Sequence, residues 1–162
     1  MEKKTVRTGI VGAGFAATFH FECLKKVHGS NVEVEGVFAA DTDQAEAYAE
    51  KRGISTCDSL EELIDKVDVV HVCTPPVVHE PITVAALEQD KFAIVEKPLT
   101  GYFGDGSDDF NGDTFPKQDA LDQSLDSIER MLAAESKSKG KILYAENWIY
   151  APSIQKEREI IE

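Results

Sequence analysis

A chain of 162 residues with 42% hydrophobic and 29% charged residues is expected to fold as one globular domain. Its net charge of −13 argues against nucleic-acid binding, which depends on cations that neutralise phosphates. No apolar run approaches the roughly 20 residues of a membrane span, and the N-terminus has no signal-peptide pattern. Three cysteines without CxxC spacing favour reduced thiols over disulfides or a zinc site, so we expect a cytoplasmic protein.

Strands and helices are predicted to alternate through about residue 100. Apolar periodicity predicts strands over 5–11, 32–40, 67–73 and 92–96, and helices over 15–27, 43–51, 59–65 and 80–89. In the first helix, Phe19, Cys23, Leu24 and Val27 share one apolar face. The alternation predicts right-handed crossovers and a Rossmann-like, doubly wound α/β fold. Its sheet should be mainly parallel, with about six strands and helices on both faces.

The segment 101–117 differs from the rest in composition. It contains four glycines, four aspartates and almost no aliphatic residue, so we predict a mobile surface insertion. Its aspartates Asp105, Asp109 and Asp113 lack the glycine and glutamate of a calcium loop, and no metal site is predicted. A further helix follows, with Leu121, Leu125, Ile128 and Leu132 at helical spacing and an end near residue 140, before a last strand over 142–145.

A glycine motif follows the first strand and opens the first helix. In the pattern Gly12-x-Gly14-x-x-Ala17 the first glycine permits a tight turn and the second lets the backbone approach a pyrophosphate. Ala17 is small enough for close packing of helix on strand. In this context the motif predicts a dinucleotide-binding site, and the alternative is a purely structural turn. The residues predicted to contact the cofactor here are Gly12, Ala13, Gly14, Phe15 and Ala16.

Asp41 ends the second predicted strand. A carboxylate there can accept hydrogen bonds from ribose hydroxyls and would repel a 2′-phosphate. Because no arginine follows it, the sequence favours NAD over NADP as cofactor. The alternatives are that Asp41 only caps a helix, or that Asp43 serves the ribose instead.

Thr74, Pro75, Pro76 and His79 follow the strand over 67–73, at the carboxyl edge where open α/β sheets bind ligands. We predict that this segment lines the cofactor site. Two alternatives stay open: the prolines only shape a loop, and His79 only orients the start of a helix.

The triplet Glu96-Lys97-Pro98 stands at the end of a buried strand. Burying an ammonium is costly unless it is paired or used. A partly desolvated lysine can have a lowered pKa and exchange a proton with a substrate hydroxyl or carbonyl. We therefore predict Lys97 as a catalytic residue, with Glu96 and Lys97 also near the cofactor. The alternative is a structural ion pair between the two. Asn147, after the last strand, is a weaker candidate for contact with substrate.

Together these motifs resemble the Gfo/Idh/MocA oxidoreductase family, which includes glucose–fructose oxidoreductase and inositol 2-dehydrogenase. The similarity covers residues 5–100 and resumes at 144–152, and the Glu96-Lys97-Pro98 triplet is its most specific part. It implies that residues 1–150 form an NAD(P)-binding Rossmann domain. Residues 151–162 then begin the connection to a C-terminal substrate domain that is absent from this chain.

The resemblance also implies an activity. The whole protein is expected to be a homo-oligomeric dehydrogenase that transfers hydride between nicotinamide and a hydroxyl carbon of a sugar, cyclitol or related polyol. In that role Lys97 aids proton transfer, and the chain by itself is inactive. A non-catalytic sensor that binds the dinucleotide is the alternative. Asp90-Lys91-Phe92 departs from the Gly-Lys-His that the family often has at this point.

Overall fold

The computed structural model describes residues 3–105, 107 and 109–162, and these form a parallel β-sheet flanked by helices. The described strands lie in the order β2-β1-β3-β4-β5, and every neighbouring pair is parallel. The strands are β1 (Thr5–Val11), β2 (Asn31–Phe38), β3 (Val69–Val72), β4 (Phe92–Glu96) and β5 (Ile142–Ala145). The helices are α1 (Phe15–Leu24), α2 (Thr42–Arg52), α3 (Leu60–Lys66), α4 (His79–Glu88), α5 (Lys117–Lys137) and α6 (Pro152–Ile161), with short 3-10 helices at Pro76–Val78 and Trp148–Tyr150.

Successive residues of β1 point to opposite faces of the sheet, and each face has its own apolar cluster. Val11 belongs to the cluster that contains Leu63 of α3, whereas Ile10 belongs to the cluster with Ala17 of α1 and Tyr48 of α2. This separation follows from the two-residue period of a strand. The sheet is therefore covered by helices on both faces, and the prediction of a Rossmann-like, doubly wound fold is confirmed.

The sheet has five strands within the described ranges, so the expectation of about six is corrected. Beside the edge strand β2, the segment between α2 and α3 forms a single bridge that pairs Val37 with Thr56. In that bridge the Val37 N–H donates to the carbonyl of Ser55, and the Cys57 N–H donates to the carbonyl of Val37, each at 2.9 Å. The side chain of Ser59 then caps α3, which ends the extended segment before it can add a strand.

The apolar face predicted for the first helix is not its buried face. α1 buries Ala17 and Phe21, while Phe19 is 50% exposed. The helix also ends at Leu24, and Val27 lies beyond it in the exposed connection. The small Ala17 is fully buried in the cluster that contains Ile10, and this contact sets which side of α1 turns inward.

A similar difference applies to α5. This helix buries Ser127 and Met131, whereas Leu121, Leu125 and Leu132 are each about half exposed. Its orientation is fixed partly by polar contacts, because Ser127 shares a 2.8 Å hydrogen bond with the hydroxyl of Thr100. Neither α5 nor any other helix of the described ranges is both long and apolar enough to cross a membrane.

The segment 101–117 contains an aromatic cluster that its composition did not predict. The ring centroids of Tyr102, Phe110 and Phe115 lie 4.8 to 5.5 Å apart. The prediction rested on the scarcity of aliphatic residues, but aromatic side chains supply apolar area of their own. Its mobility stays a prediction, and Gly106 and Asp108 lie outside the described residues. Within those residues, no group of three or more His, Cys, Asp or Glu side chains could hold a metal ion.

Candidate functional site

The strand order creates a crevice beside the carboxyl end of β1. From β1 the chain passes to β2 on one side, whereas β3 pairs with β1 on the other side. In open α/β sheets, ligands bind outside the strand ends at such a reversal of order. Gly12 directly follows β1, and Cys73 and Thr74 follow β3, so the predicted glycine motif and the predicted Thr74 segment meet here.

The two glycines of the motif have different roles. Gly12 has a φ of +106°, and a Cβ built on it would lie 2.5 Å from the carbonyl oxygen of Cys73. Only glycine fits this turn without a shift of β3. Gly14 has a φ of −89°, and a Cβ built on it would meet no atom within 4 Å. Gly12 is therefore needed for the fold, and Gly14 borders open space.

The amino end of α1 faces the same open space. Gly14 is the N-cap of this ten-residue helix, and no side chain caps it. The first amide of this turn bonded within the helix is that of Thr18, which donates to the carbonyl of Gly14 at 3.1 Å. The amides of the first turn and the helix dipole favour an anion, so this end suits a pyrophosphate. The neighbouring Phe15 is 87% exposed.

A cavity of about 770 Å³ lies on the β1–β2–β3 side of this helix end. The glycine turn and the ends of β2 and β3 line part of it. The opposite wall is apolar, and its residues were not among the predicted site residues. That wall consists of Val77, Val78, Pro81 and Ile82. The only sequence signal for it was an apolar pair following Pro75-Pro76.

Asp41 lies at the rim of this cavity and also caps α2. Its Oδ1 accepts from the backbone amide of Gln44 at 3.0 Å, and its Oδ2 accepts from the side-chain amide of Gln44 at 2.7 Å. These hydrogen bonds, with the backbone one largest, lower the pKa of Asp41 below its ordinary value. A carboxylate has about four acceptor positions, so capping leaves room for a ligand hydroxyl. Asp43, the rival candidate, does not line the cavity.

Thr74 and Pro75 line the same cavity, but Pro76 and His79 do not. His79 is fully buried. One ring nitrogen lies 2.9 Å from the carbonyl oxygen of Thr74, and the other lies 3.0 Å from that of Pro98. The expectation that His79 touches the cofactor is therefore not met. It instead ties the loop after β3 to the loop after β4.

A second cavity, of about 300 Å³, lies on the other side of the amino end of α1. Its lining includes Phe15 and Ala16 of α1, Glu96 at the end of β4, Lys97 directly after it, and Asn147 after β5. Because Gly14 lines the first cavity and Phe15 the second, the helix start joins the two. The glycine motif, Lys97 and Asn147 thus meet around one feature of the fold.

Lys97 is exposed in this chain, which corrects the expectation of a partly buried ammonium. It also forms no ion pair with any residue of the described ranges. The alternative of a structural Glu96–Lys97 ion pair is therefore not observed. The carboxylate of Glu96 instead contacts the backbone amide of Lys97, at 3.1 Å from Oε2, and the ring of His20, at 3.0 Å from Oε1.

Two histidines in a hydrogen-bonded series with Glu96 were not among the predicted site residues. Nδ1 of His20 lies 2.8 Å from Nδ1 of His71, which is 5% exposed on β3. Burial, and then the nearby His20, lower the pKa of His71 to about 3, so its ring stays neutral at physiological pH. The sequence offered one signal, the polar His71 inside the apolar run Val69–Val72. The neighbouring residues do not show which side chain His71 contacts.

The fold and the site define a dinucleotide-binding Rossmann domain. The chain belongs to the Gfo/Idh/MocA family, because the family description "Oxidoreductase family, NAD-binding Rossmann fold" matches residues 6–108. The predicted family membership is confirmed.

Individual relatives agree with this assignment. The chain is 34% identical over 100 residues to inositol 2-dehydrogenase of Corynebacterium glutamicum. The aligned region covers 60% of this chain and 29% of the relative. It is 30% identical over 93 residues to glucose-6-phosphate 3-dehydrogenase of Bacillus subtilis, and this aligned region covers 57% of this chain and 26% of the relative. The crystal structure of an NAD-binding protein from Listeria innocua matches with a TM-score of 0.77 at 21% identity, over 98% of this chain and 40% of that one. The matches span less than a third of the curated relatives.

Proposed function

We propose that this chain is the NAD-binding domain of a dehydrogenase that acts on a hydroxyl carbon of a sugar, cyclitol or related polyol. The main support for this proposal is that the amino end of α1 joins the large cavity, bordered by Asp41, to the small cavity that Lys97 lines. A dinucleotide has two ends of different chemistry and needs such a pair of sites around its pyrophosphate. The names of the curated relatives support the class of substrate.

The residues present fit a nicotinamide dinucleotide. Gly14 leaves open space above unbonded helix amides, which suits the pyrophosphate. Asp41 keeps acceptor positions for ribose hydroxyls. The residues that line the large cavity include no lysine or arginine to bind a 2′-phosphate, and Asp41 repels one. NAD is therefore the proposed cofactor, and when bound it accepts or supplies the hydride.

Lys97 handles the proton in this proposal. As the hydroxyl carbon loses its hydride, the hydroxyl proton passes to the Lys97 amine, and the carbon becomes a carbonyl. This transfer requires the unprotonated amine, and no carboxylate of the described residues forms an ion pair with Lys97. Asn147 lines the same small cavity, and its amide orients the substrate by hydrogen bonding.

The cofactor proposal is tested by titrating the chain with NADH and, separately, NADPH while following cofactor fluorescence. We expect NADH to bind at least tenfold more tightly than NADPH, because of the charge at Asp41. The variant Lys97→Met should bind NADH as the unmodified chain does. Equal affinities would contradict only the preference for NAD. Failure to bind either cofactor would mean that the glycine turn is purely structural.

The catalytic proposal is tested in the whole protein with NAD⁺ and myo-inositol as a probe substrate. Lys97→Met is expected to lower kcat by about 10²–10⁴-fold, the usual contribution of a general acid or base. Lys141→Met makes the same substitution at the opposite, amino end of β5 and should leave kcat unchanged. Unchanged turnover in Lys97→Met would refute the role of Lys97. NADH binding without turnover of myo-inositol, glucose 6-phosphate or other polyols would favour the sensor.

A further inference from the structure

Glu96 is held inside the protein by a chain of hydrogen bonds that the proposed reaction does not use. Its side chain is 18% exposed and that of His20 is 10% exposed. Oε1 meets His20 Nε2 at 3.0 Å, and His20 Nδ1 meets His71 Nδ1 at 2.8 Å. The two imidazole rings stand edge to face, with an interplanar angle of 88°. This series of hydrogen bonds thus links β4, α1 and β3 at the border of the small cavity.

With Glu96 ionised and His20 neutral, the hydrogen bonds of this series run in one direction. An ionised carboxylate only accepts, so Nε2 of His20 carries the proton that it donates to Glu96. In neutral His20 the other nitrogen then has a lone pair, and His71 Nδ1–H donates to it. His71 lies in the same cross-strand row as Ile10 and Ile94, and its ring projects from the face of the sheet that α1 covers. Each member therefore fixes the tautomer of the next.

This arrangement determines what Lys97 can do. Because one oxygen of Glu96 is bound to His20, the other lies 3.1 Å from the backbone amide of Lys97 and accepts its hydrogen bond. A carboxylate released from His20 would be free to turn toward the adjacent ammonium and pair with it. Such an ion pair would occupy the Lys97 amine and compete with the substrate.

We propose that His20 and His71 are positioning residues for Lys97. They keep Glu96 turned into the protein, so that the backbone of Lys97 is fixed and its side-chain amine stays unpaired. The use of that amine in proton transfer rests on the proposed function. The positioning itself depends only on contacts within this chain.

The proposal is tested by NMR on the ¹⁵N-labelled chain. In the unmodified chain the long-range imidazole spectrum should show a proton on Nε2 of His20. His71→Leu removes the donor to His20, and exchange of the Lys97 amide with solvent should become at least tenfold faster. His71→Asn supplies an amide donor and should largely restore the slow exchange. The control Met131→Ala opens a cavity under α5 and should speed exchange throughout the sheet without singling out Lys97.

Two results would overturn the proposal. One is an unprotonated Nε2 on His20, since such a nitrogen cannot donate to a carboxylate. The other is exchange of the Lys97 amide that His71→Leu leaves unchanged, or changes only as much as exchange of the amides in β4. Both measurements are made without cofactor, so they remain decisive even if the chain fails to bind NADH.

A kinetic measurement connects the positioning to the reaction. In the whole protein with myo-inositol, His71→Leu should lower kcat at least tenfold while the KM for NAD⁺ stays the same, and His71→Asn should recover much of the loss. A kcat unaffected by His71→Leu would overturn the link to catalysis. If the unmodified protein turns over no polyol, the proposed function fails, and the NMR result alone decides whether the histidines position Lys97.

Discussion

Gly12 and Gly14 occupy the same motif, but the structure predicts opposite consequences for replacing them. In Gly12→Ala the new Cβ would meet the Cys73 carbonyl at 2.5 Å in a backbone with φ of +106°. The backbone conformation alone costs about 1–3 kcal/mol, and the contact adds to it. Urea denaturation should therefore show a clear loss of unfolding free energy. A stability unchanged within error would mean that the turn can adopt another conformation.

Gly14→Ala is the matched variant. Its backbone is in the negative-φ region and its Cβ would meet no protein atom, so only the poorer N-cap preference of alanine, about 0.5–1 kcal/mol, should lower the unfolding free energy. The methyl group projects into the space assigned to the pyrophosphate, and NADH affinity should fall at least tenfold. Full NADH affinity in Gly14→Ala would move the cofactor away from the amino end of α1.

At the scale of elements, α2 combines folding and binding at one residue. Asp41 caps the helix through Oδ1, its Oδ2 accepts from the side-chain amide of Gln44, and these hydrogen bonds lower its pKa. The stabilisation by the ionised carboxylate is fully present above the unfolded pKa of about 3.9, and it is lost as the pH falls through the lower folded value. Asp41→Ala should therefore lower the unfolding free energy near neutral pH, and lower it by less near pH 2. The measurement is urea denaturation at both pH values.

Asp41→Asn separates the two roles of this residue. Asparagine is as good an N-cap as aspartate, so the stability near neutral pH should be retained. The negative charge is lost, and the preference for NADH over NADPH in a fluorescence titration should narrow. If Asp41→Asn kept the full preference while Asp41→Ala lost stability, Asp41 would be a cap alone.

At the scale of the whole molecule, the net charge of −13 opposes an anionic ligand. Screening extends over about 30 Å at 0.01 M salt but only about 8 Å at 0.15 M. The affinity for NADH should therefore rise as salt is increased over this range. Adenosine carries no charge, so a competition titration with it should show little salt dependence. An NADH affinity that falls with salt would indicate local contacts between cations and phosphate that outweigh the overall charge.

Much of the fold could be predicted from the sequence because its signals are local. Apolar runs such as Val69–Val72 and the helical spacing between them indicate a parallel sheet, whose carboxyl edge gathers the loops after each strand. This rule alone predicts that Gly12 and Lys97 lie at the same edge of the sheet. The position of Gly14 between a strand and a helix can likewise be predicted from the residues next to it in the sequence.

The sequence by itself determined the alternation of strands and helices, the glycine turn and the edge of the sheet on which the candidate site lies. The tertiary structure alone decided which side of α1 is buried, that His79 joins two loops, and that His20 and His71 hold Glu96. The contacts of His20 with His71 and Glu96 join residues 51 and 76 positions apart in the chain, and His79 contacts Pro98, which lies 19 positions away. Such contacts are set by how whole elements pack, and the periodicity of a single segment contains no information about the partner that it meets.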